Sequence, residues 1–217
     1  MKNPAAARIN DIHLPELAEG FAGDLGAHEK VDGLRFDGTV LDGLDLAGVS
    51  LSECKLDGVS AHEADLRAST LVDVAIDRLN APIPSAPRST WRNLVVMGSR
   101  VGSAELYEST LRSVHFVGCK FGYLNLRGSS FLDVRFSDCV IDELDLGGAT
   151  AERLDFQTTE TRVLDVTRAR FTNIDVRELQ FRQVNGLEGL RGATMSELQV
   201  AELAGVFAAH LGIVVEA

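Results

Sequence analysis

Apolar residues recur at every fifth position of this chain. The series runs from Val31 through Phe36, Leu41, Leu46, Leu51 and Leu56, then on through Phe116, Phe121, Leu126, Phe131, Phe136, Ile141 and Leu146 to Phe181. It holds 31 positions, and only Thr161 among them is not apolar. Eight of the ten Phe lie on it, so these positions face inward, where large side chains are wanted. A second series stands two residues ahead of each of these, from Leu34, Thr39, Leu44, Val49, Cys54 and Val59 to Val184, and contains only small or apolar types. Together the two series hold 62 positions and no charged residue, where a composition of 24% charged would place about 15 by chance.

A period of five fits neither a helix nor a plain strand, whose side chains repeat every 3.6 and 2.0 residues. It fits a chain that turns a corner every five residues. The residue two after each centre is often Gly (33, 38, 43, 48, 58, 98, 118, 128 and 148) or Asp73, Asn93, Asp133, Asp138 or Asn173, types that tolerate the positive φ of a tight turn. A second period gives the number of corners per coil. Ser50, Thr70, Thr90, Thr110, Ser130 and Thr150 form a column at spacing 20, and Asp45, Asp65, Ser85, Glu105, Asn125, Asp145 and Asp165 form another. Residues i and i+20 therefore stack, and four five-residue sides close one square coil. Stacked as parallel strands about 4.8 Å apart, about eight coils make a rod of roughly 35–40 Å.

The repeat reads EADLR at Glu63–Arg67, YLNLR at Tyr123–Arg127 and ELDLG at Glu143–Gly147. In this it resembles the pentapeptide-repeat family, whose usual repeat is A(D/N)LXX, over roughly residues 31–184. The resemblance implies an all-β solenoid, a right-handed quadrilateral β-helix of about eight four-sided coils. It also implies the family's best-understood activity, in which an acidic rod mimics duplex DNA, occupies DNA gyrase or a related type II topoisomerase, and gives resistance to quinolones or peptide toxins. The repeat itself encodes packing.

The expected organisation is an N-terminal capping segment over 1–30, the β-helix over 31–184 and a C-terminal cap over 185–217. Residues 82–90, PIPSAPRST, hold three of the five Pro. Proline weakens a strand ladder, yet the period runs through, which predicts a locally distorted face with no insertion. Trp91 follows at a centre position, where a bulge that makes room is the first reading and a ligand-stacking ring the second. Past Val184 the pattern fails. Leu190 with Gly192 suggests one last corner shifted by a residue. Ser196-x-x-Gln199 then forms a capping box, which opens a short C-terminal helix over about 197–211, with Gly212 after it and Ile213–Val215 as a short strand. Val200, Leu203, Ala204, Phe207 and Leu211 share an apolar face. An open solenoid end exposes core and strand edges, so the tail reads as a cap. The sharper alternative is a homodimer through Val200, Leu203, Phe207 and Leu211, because quinolone-resistance members of the family pair through C-terminal helices.

Little in the chain points to catalysis. The five His (13, 28, 62, 115, 210) match no zinc spacing. There is no P-loop and no nucleophile elbow, so no cofactor, metal or catalytic residue is assigned. Cys54, Cys119 and Cys139 all lie on the inward series. There they read as small hydrophobes, with a stacked Cys119–Cys139 metal or redox pair as the alternative. The N-terminus lacks the apolar run of a signal peptide, no stretch is long enough to span a membrane, and three Cys make no disulfide framework. A cytoplasmic protein is expected.

Net charge is −11, which disfavours direct binding to nucleic acid or to an anionic membrane. The four faces of the repeat, from Lys30 to Arg182, carry net charges of 0, −2, −1 and −2, and residues 1–29 and 183–217 carry −3 each. Duplex DNA presents about one charge per 1.7 Å, so a rod of this length would need about 20 net negatives to match it. The leading reading is a non-catalytic, rigid protein-binding rod with an unidentified partner. The DNA mimic is the alternative, with Asp45, Asp65, Glu105, Asp145 and Asp165 as its candidate stripe. An enzyme ranks third. The Asp/Asn column has a plainer explanation as well, since short acceptors beside a corner bond local backbone N–H groups.

Overall fold

A computed structural model describes residues 4–216, so Met1–Asn3 of the expected N-terminal segment lie outside the described residues. The chain winds into a four-sided parallel β-solenoid of about nine turns. Strands on two sides join a twelve-stranded sheet, and a third side forms a six-stranded one. Pairing runs i to i+20 throughout the repeat, as in Thr110↔Ser130 and Phe116↔Phe136, or Lys120↔Val140 and Asn125↔Asp145. The extra turn relative to the repeat count comes from its flanks. Ala18–Glu19 pairs with Leu34 and Arg35 at one end. At the other, Ala193–Thr194 pairs with Ile174 and Asp175 at a spacing of 19, one residue short of the repeat.

The inward series form one continuous core. Phe36, Phe116 and Phe136 are almost wholly buried, and Phe121 and Phe131 are 5% exposed. Phe116, Phe136 and Phe156 stack through successive coils, with centroids 4.7 and 5.3 Å apart and rings within 12° of parallel. The corner expectation is met in detail. The nine corner glycines have φ between 55 and 68°, and Asp73, Asn93, Asp133, Asp138 and Asn173 between 52 and 60°. One column departs from it. From Ile83 onward, Ser103, Tyr123, Glu143, Val163 and Gln183 are absent from the left-handed region, and strands such as Arg100–Glu105 and Lys120–Asn125 run straight through that position.

The Pro-rich stretch inserts nothing, because Thr70↔Thr90 through Asp77↔Met97 pair without a break. There is no bulge at Trp91 either, where Leu71, Trp91 and Leu111 stand in strict register. The expected bulge is replaced by small neighbours. Ala61, Ala81, Ala86 and Ala104 leave room for the indole inside the coil, with an apolar void of about 90 Å³ remaining. The ring is buried and its Nε1–H has no hydrogen-bond partner. It does not face an outside ligand.

The buried thiols belong to an interior hydrogen-bond ladder. Ser99, Cys119, Cys139 and Thr159 occupy one column. Cys119 Sγ lies 3.3 Å from the Val96 carbonyl, Cys139 Sγ 3.6 Å from that of Phe116, and Thr159 Oγ1 3.3 Å from that of Phe136. Ser89, Ser109 and Ser129 bond carbonyls 23 residues back in the same way. Thiol and hydroxyl do the same work here, donating to a carbonyl of the preceding coil.

Residues 18–25 lie at the first coil, with Gly20 against the Phe36 ring and Leu25 in the core. Residues 5–10 follow a course that the five-residue period does not reveal. They run lengthwise across five coils. The Ala5 N–H faces Asn173 Oδ1 at 3.4 Å, Ala7 donates to Asp155 (2.9 Å), Arg8 to Asp133 (2.8 Å) and Asn10 to Ser113 (2.9 Å), while the Asn10 side chain donates to Asn93 (2.8 Å). One coil rises about 4.8 Å, or about 1.4 residues of extended chain, so this strap keeps step with the stack.

Candidate interaction surface

The acidic column is assembled as expected. Asp45, Asp65, Ser85, Glu105, Asn125, Asp145 and Asp165 sit directly above one another along one side. The first oxygens of its carboxylates are already engaged. Asp45 accepts from the Ala47 N–H (3.0 Å), Asp65 from Arg67 (3.0 Å), Asp145 from Gly147 (2.8 Å) and Asp165 from Thr167 (2.8 Å). Asn125 makes the same bond to Arg127. Each is an acceptor two residues before the donor, the local bond that stabilises a turn. This column therefore builds corners first.

Its charge is also interrupted. Arg67 pairs with Asp65 at 2.8 Å, and Arg127 with Asp145 at 3.0 Å. The Asn125 amide donates to Glu105 (2.6 Å), and the Tyr123 hydroxyl to Asp145 (3.3 Å). Burial, with Asp145 beside it, pushes the Tyr123 hydroxyl up to about 12, so it remains a neutral donor. Other faces are likewise cross-paired, with Lys55 on Asp77, Arg135 on Asp155 and Arg153 on Asp133. The Arg153 guanidinium holds Asp133 below its usual carboxylate range, helped by the backbone N–H of Arg8. Burial lowers His115, and Arg135 beside it adds to the effect. Among the described residues, no three His, Cys, Asp or Glu converge in a way that could hold a metal ion.

The tail differs from the single helix expected. Two short helices, α1 (Glu197–Glu202) and α2 (Ala204–His210), meet at Leu203, and Ile213–Val215 forms no strand. The capping box is present in both directions, and the Gln199 amide also donates to the carbonyls of Val176 and Leu179. Gly189 and Leu190 are buried in a 3-10 turn over Leu187–Leu190, and Met195 packs on the core. Helix α1 rests on the last coil through Gln199, and neither α1 nor α2 has a buried residue.

Of the expected pairing face, Leu203 and Phe207 are half-buried, Val200 is exposed and Leu211 is 72% exposed. Leu198 (68%) and Val206 (44%) join them. Ile213, Val214 and Val215 extend the uncovered apolar surface. Beside it lies a groove of about 710 Å³, lined by Phe181, Leu198, Leu203 and Val206 with Glu160 and Arg182 at its rim. Among the described residues no helix is long and apolar enough to cross a membrane.

Residues 35–71 match the family described as pentapeptide repeats in eight copies. No curated protein matches the chain. Among solved structures, full-length QnrB1, a plasmid-mediated fluoroquinolone resistance protein, is 13% identical over 82% of this chain and 98% of its own, with a TM-score of 0.44. A trypsin-treated form of QnrB1 is 17% identical over 87% and 97%, at 0.42. HetL, a pentapeptide repeat protein involved in heterocyst differentiation regulation in the cyanobacterium Nostoc sp., is 15% identical over 78% and 90%, at 0.21.

Proposed function

Starting from a chain built of pentapeptide repeats, we propose a non-catalytic, rigid protein-binding rod that pairs with a second copy of itself through its C-terminal tail. The observation that carries this reading is the uncovered apolar surface of Leu198, Val200, Val206, Leu211 and Ile213–Val215. So many large apolar residues exposed within one short segment support an association site. Leu190 and Met195 pack on the core at that end. A second tail would cover the exposed residues isologously, as in most homodimers. In this proposal residues 185–217 close the rod and pair it, which leaves the four faces free for a further protein partner.

Sedimentation tests the pairing. The native chain is expected at twice its monomer mass. Leu198→Glu with Val206→Glu and Leu211→Glu is expected at monomer mass, with its unfolding midpoint unchanged once the native dimer is diluted to monomer. A native chain that stays monomeric at high concentration ends the pairing proposal.

The alternative is a DNA mimic that binds gyrase or another type II topoisomerase. It calls for an unbroken acidic face, and Arg67, Arg127, Ser85 and Asn125 interrupt this one. The expected result is that stoichiometric protein leaves gyrase supercoiling unchanged. Inhibition that weakens steeply with salt, and that is lost when Asp45, Asp65, Asp145 and Asp165 are reversed, would install the mimic instead. Circular dichroism must show that variant folded, because the same carboxylates hold the corners.

A further inference from the structure

We propose that the corner column from Asn93 to Asn173 is a binding site for an extended peptide of another protein, with small side chains followed by an arginine, and that residues 5–10 fill it in the free chain. The inference deepens the protein-binding reading and rests on it.

Three observations converge on this column. The first is the acceptors themselves. Asn93, Ser113, Asp133, Asp155 and Asn173 each offer a side-chain oxygen to the strap, and four of the five stand at corners. Arg135 adds a donor, 3.1 Å from the Ala7 carbonyl. Together they read the backbone of an extended segment on both its N–H and C=O sides, much as a sheet edge reads an added strand.

The second is the choice of residue at these corners. Columns on other sides mix Gly at positive φ, as at Gly38, Gly58, Gly98 and Gly118, with residues such as Arg78, Arg88, Glu108 and Arg168. Here Asn93, Ser113, Asp133 and Asn173 adopt φ of 52–60°, and all four carry a short side chain whose oxygen the strap uses as an acceptor. Asp155 and Asp133 are paired with Arg135 and Arg153, and the charge of Arg8 in the occupant adds to the pull on Asp133.

The third is how lightly the occupant is held. Of residues 5–10 only Ala7 is buried; Ala5, Ala6, Arg8 and Asn10 are exposed. The strap belongs to no strand and its hydrogen bonds run to side chains of the solenoid, without a backbone ladder. Segments with few buried contacts open without the rest of the fold. Tethering supplies a high effective concentration, so a competing segment must match the same features to displace it.

The test uses the full chain and a fluorescein-labelled peptide with the sequence of Pro4–Asp11. Ala7→Asp with Arg8→Asp sets two carboxylates against Asp155 and Asp133 and opens the column. The opened chain is expected to bind the peptide saturably and at least tenfold more tightly than the native chain, whose own strap competes. Adding Asn93→Ala, Ser113→Ala and Asn173→Ala to the opened chain is expected to abolish that binding. Hydrogen exchange on the native chain gives a reading that needs no variant. The amides of Ala7, Arg8 and Asn10 are expected to exchange well before those of Val114 and Val134. A folded, opened chain that ignores the peptide overturns the proposal, and so do strap amides that exchange only with global unfolding. Neither result touches self-association of the tail, which sedimentation reads separately.

Discussion

Phe136→Ala is expected to destabilise the solenoid by about 3–5 kcal/mol. The ring is almost wholly buried and lies between Phe116 and Phe156 at 4.7 and 5.3 Å, nearly parallel to both. Truncation removes both contacts, each worth about 0.5–1.5 kcal/mol beyond area burial. The walls around the gap are β-coils locked in register on both sides, so they relax little into it. Urea unfolding monitored by circular dichroism gives the value. Phe181, only half-buried near the C-terminal end, is the matched control and is expected to cost less. A loss under about 1 kcal/mol at Phe136 would contradict an interior stack, because it falls below the range for a buried ring.

Arg135→Leu is expected to cost about as much, roughly 3–5 kcal/mol, by a different route. Arg135 pairs with Asp155 through Nε at 2.6 Å and Nη2 at 3.0 Å, and the carboxylate is only 6% exposed. Removing the guanidinium leaves that carboxylate buried with the Ala7 N–H as its remaining hydrogen-bond partner. The double variant Arg135→Leu, Asp155→Leu is expected to recover most of the loss, because replacing a whole buried pair by apolar groups is often close to neutral. A double-mutant cycle by urea unfolding measures the coupling. Single and double variants of equal stability would show that the pair contributes little.

The period of five was legible because the interior is narrow and every centre from Val31 to Phe181 must fill it. The spacing of 20 was legible because stacked neighbours share an environment, so Thr70, Thr90 and Thr110 or Asp45 and Asp65 recur in kind. Features that depend on three-dimensional neighbours were not legible. The room for Trp91 comes from Ala61, Ala81, Ala86 and Ala104, which are ordinary members of the series until the coils are stacked. The strap binds through main-chain N–H groups, which any residue but Pro supplies, so nothing in residues 5–10 marks it. Its acceptors were visible as corner residues, and the turn alone accounted for Asn93, Asp133 and Asn173. In the tail, the apolar spacing of Val200, Leu203, Phe207 and Leu211 suits one helix, whereas the chain forms two helices that meet at Leu203.

The lengthwise strap also orders events in time. A solenoid in which each turn touches only its neighbours can form progressively from its N-terminal side as the chain is made. Residues 5–10 leave the ribosome before the coils they bind, and Asp155 and Asn173 follow them by 148 and 168 residues. A segment made before the solenoid therefore docks fully only after the late coils exist. A chain truncated before residue 150 would present its early coils intact but with the N-terminal segment only partly anchored. Full engagement of that segment thus marks a completed rod, and a nascent or broken one would be open to proteolysis at residues 5–10.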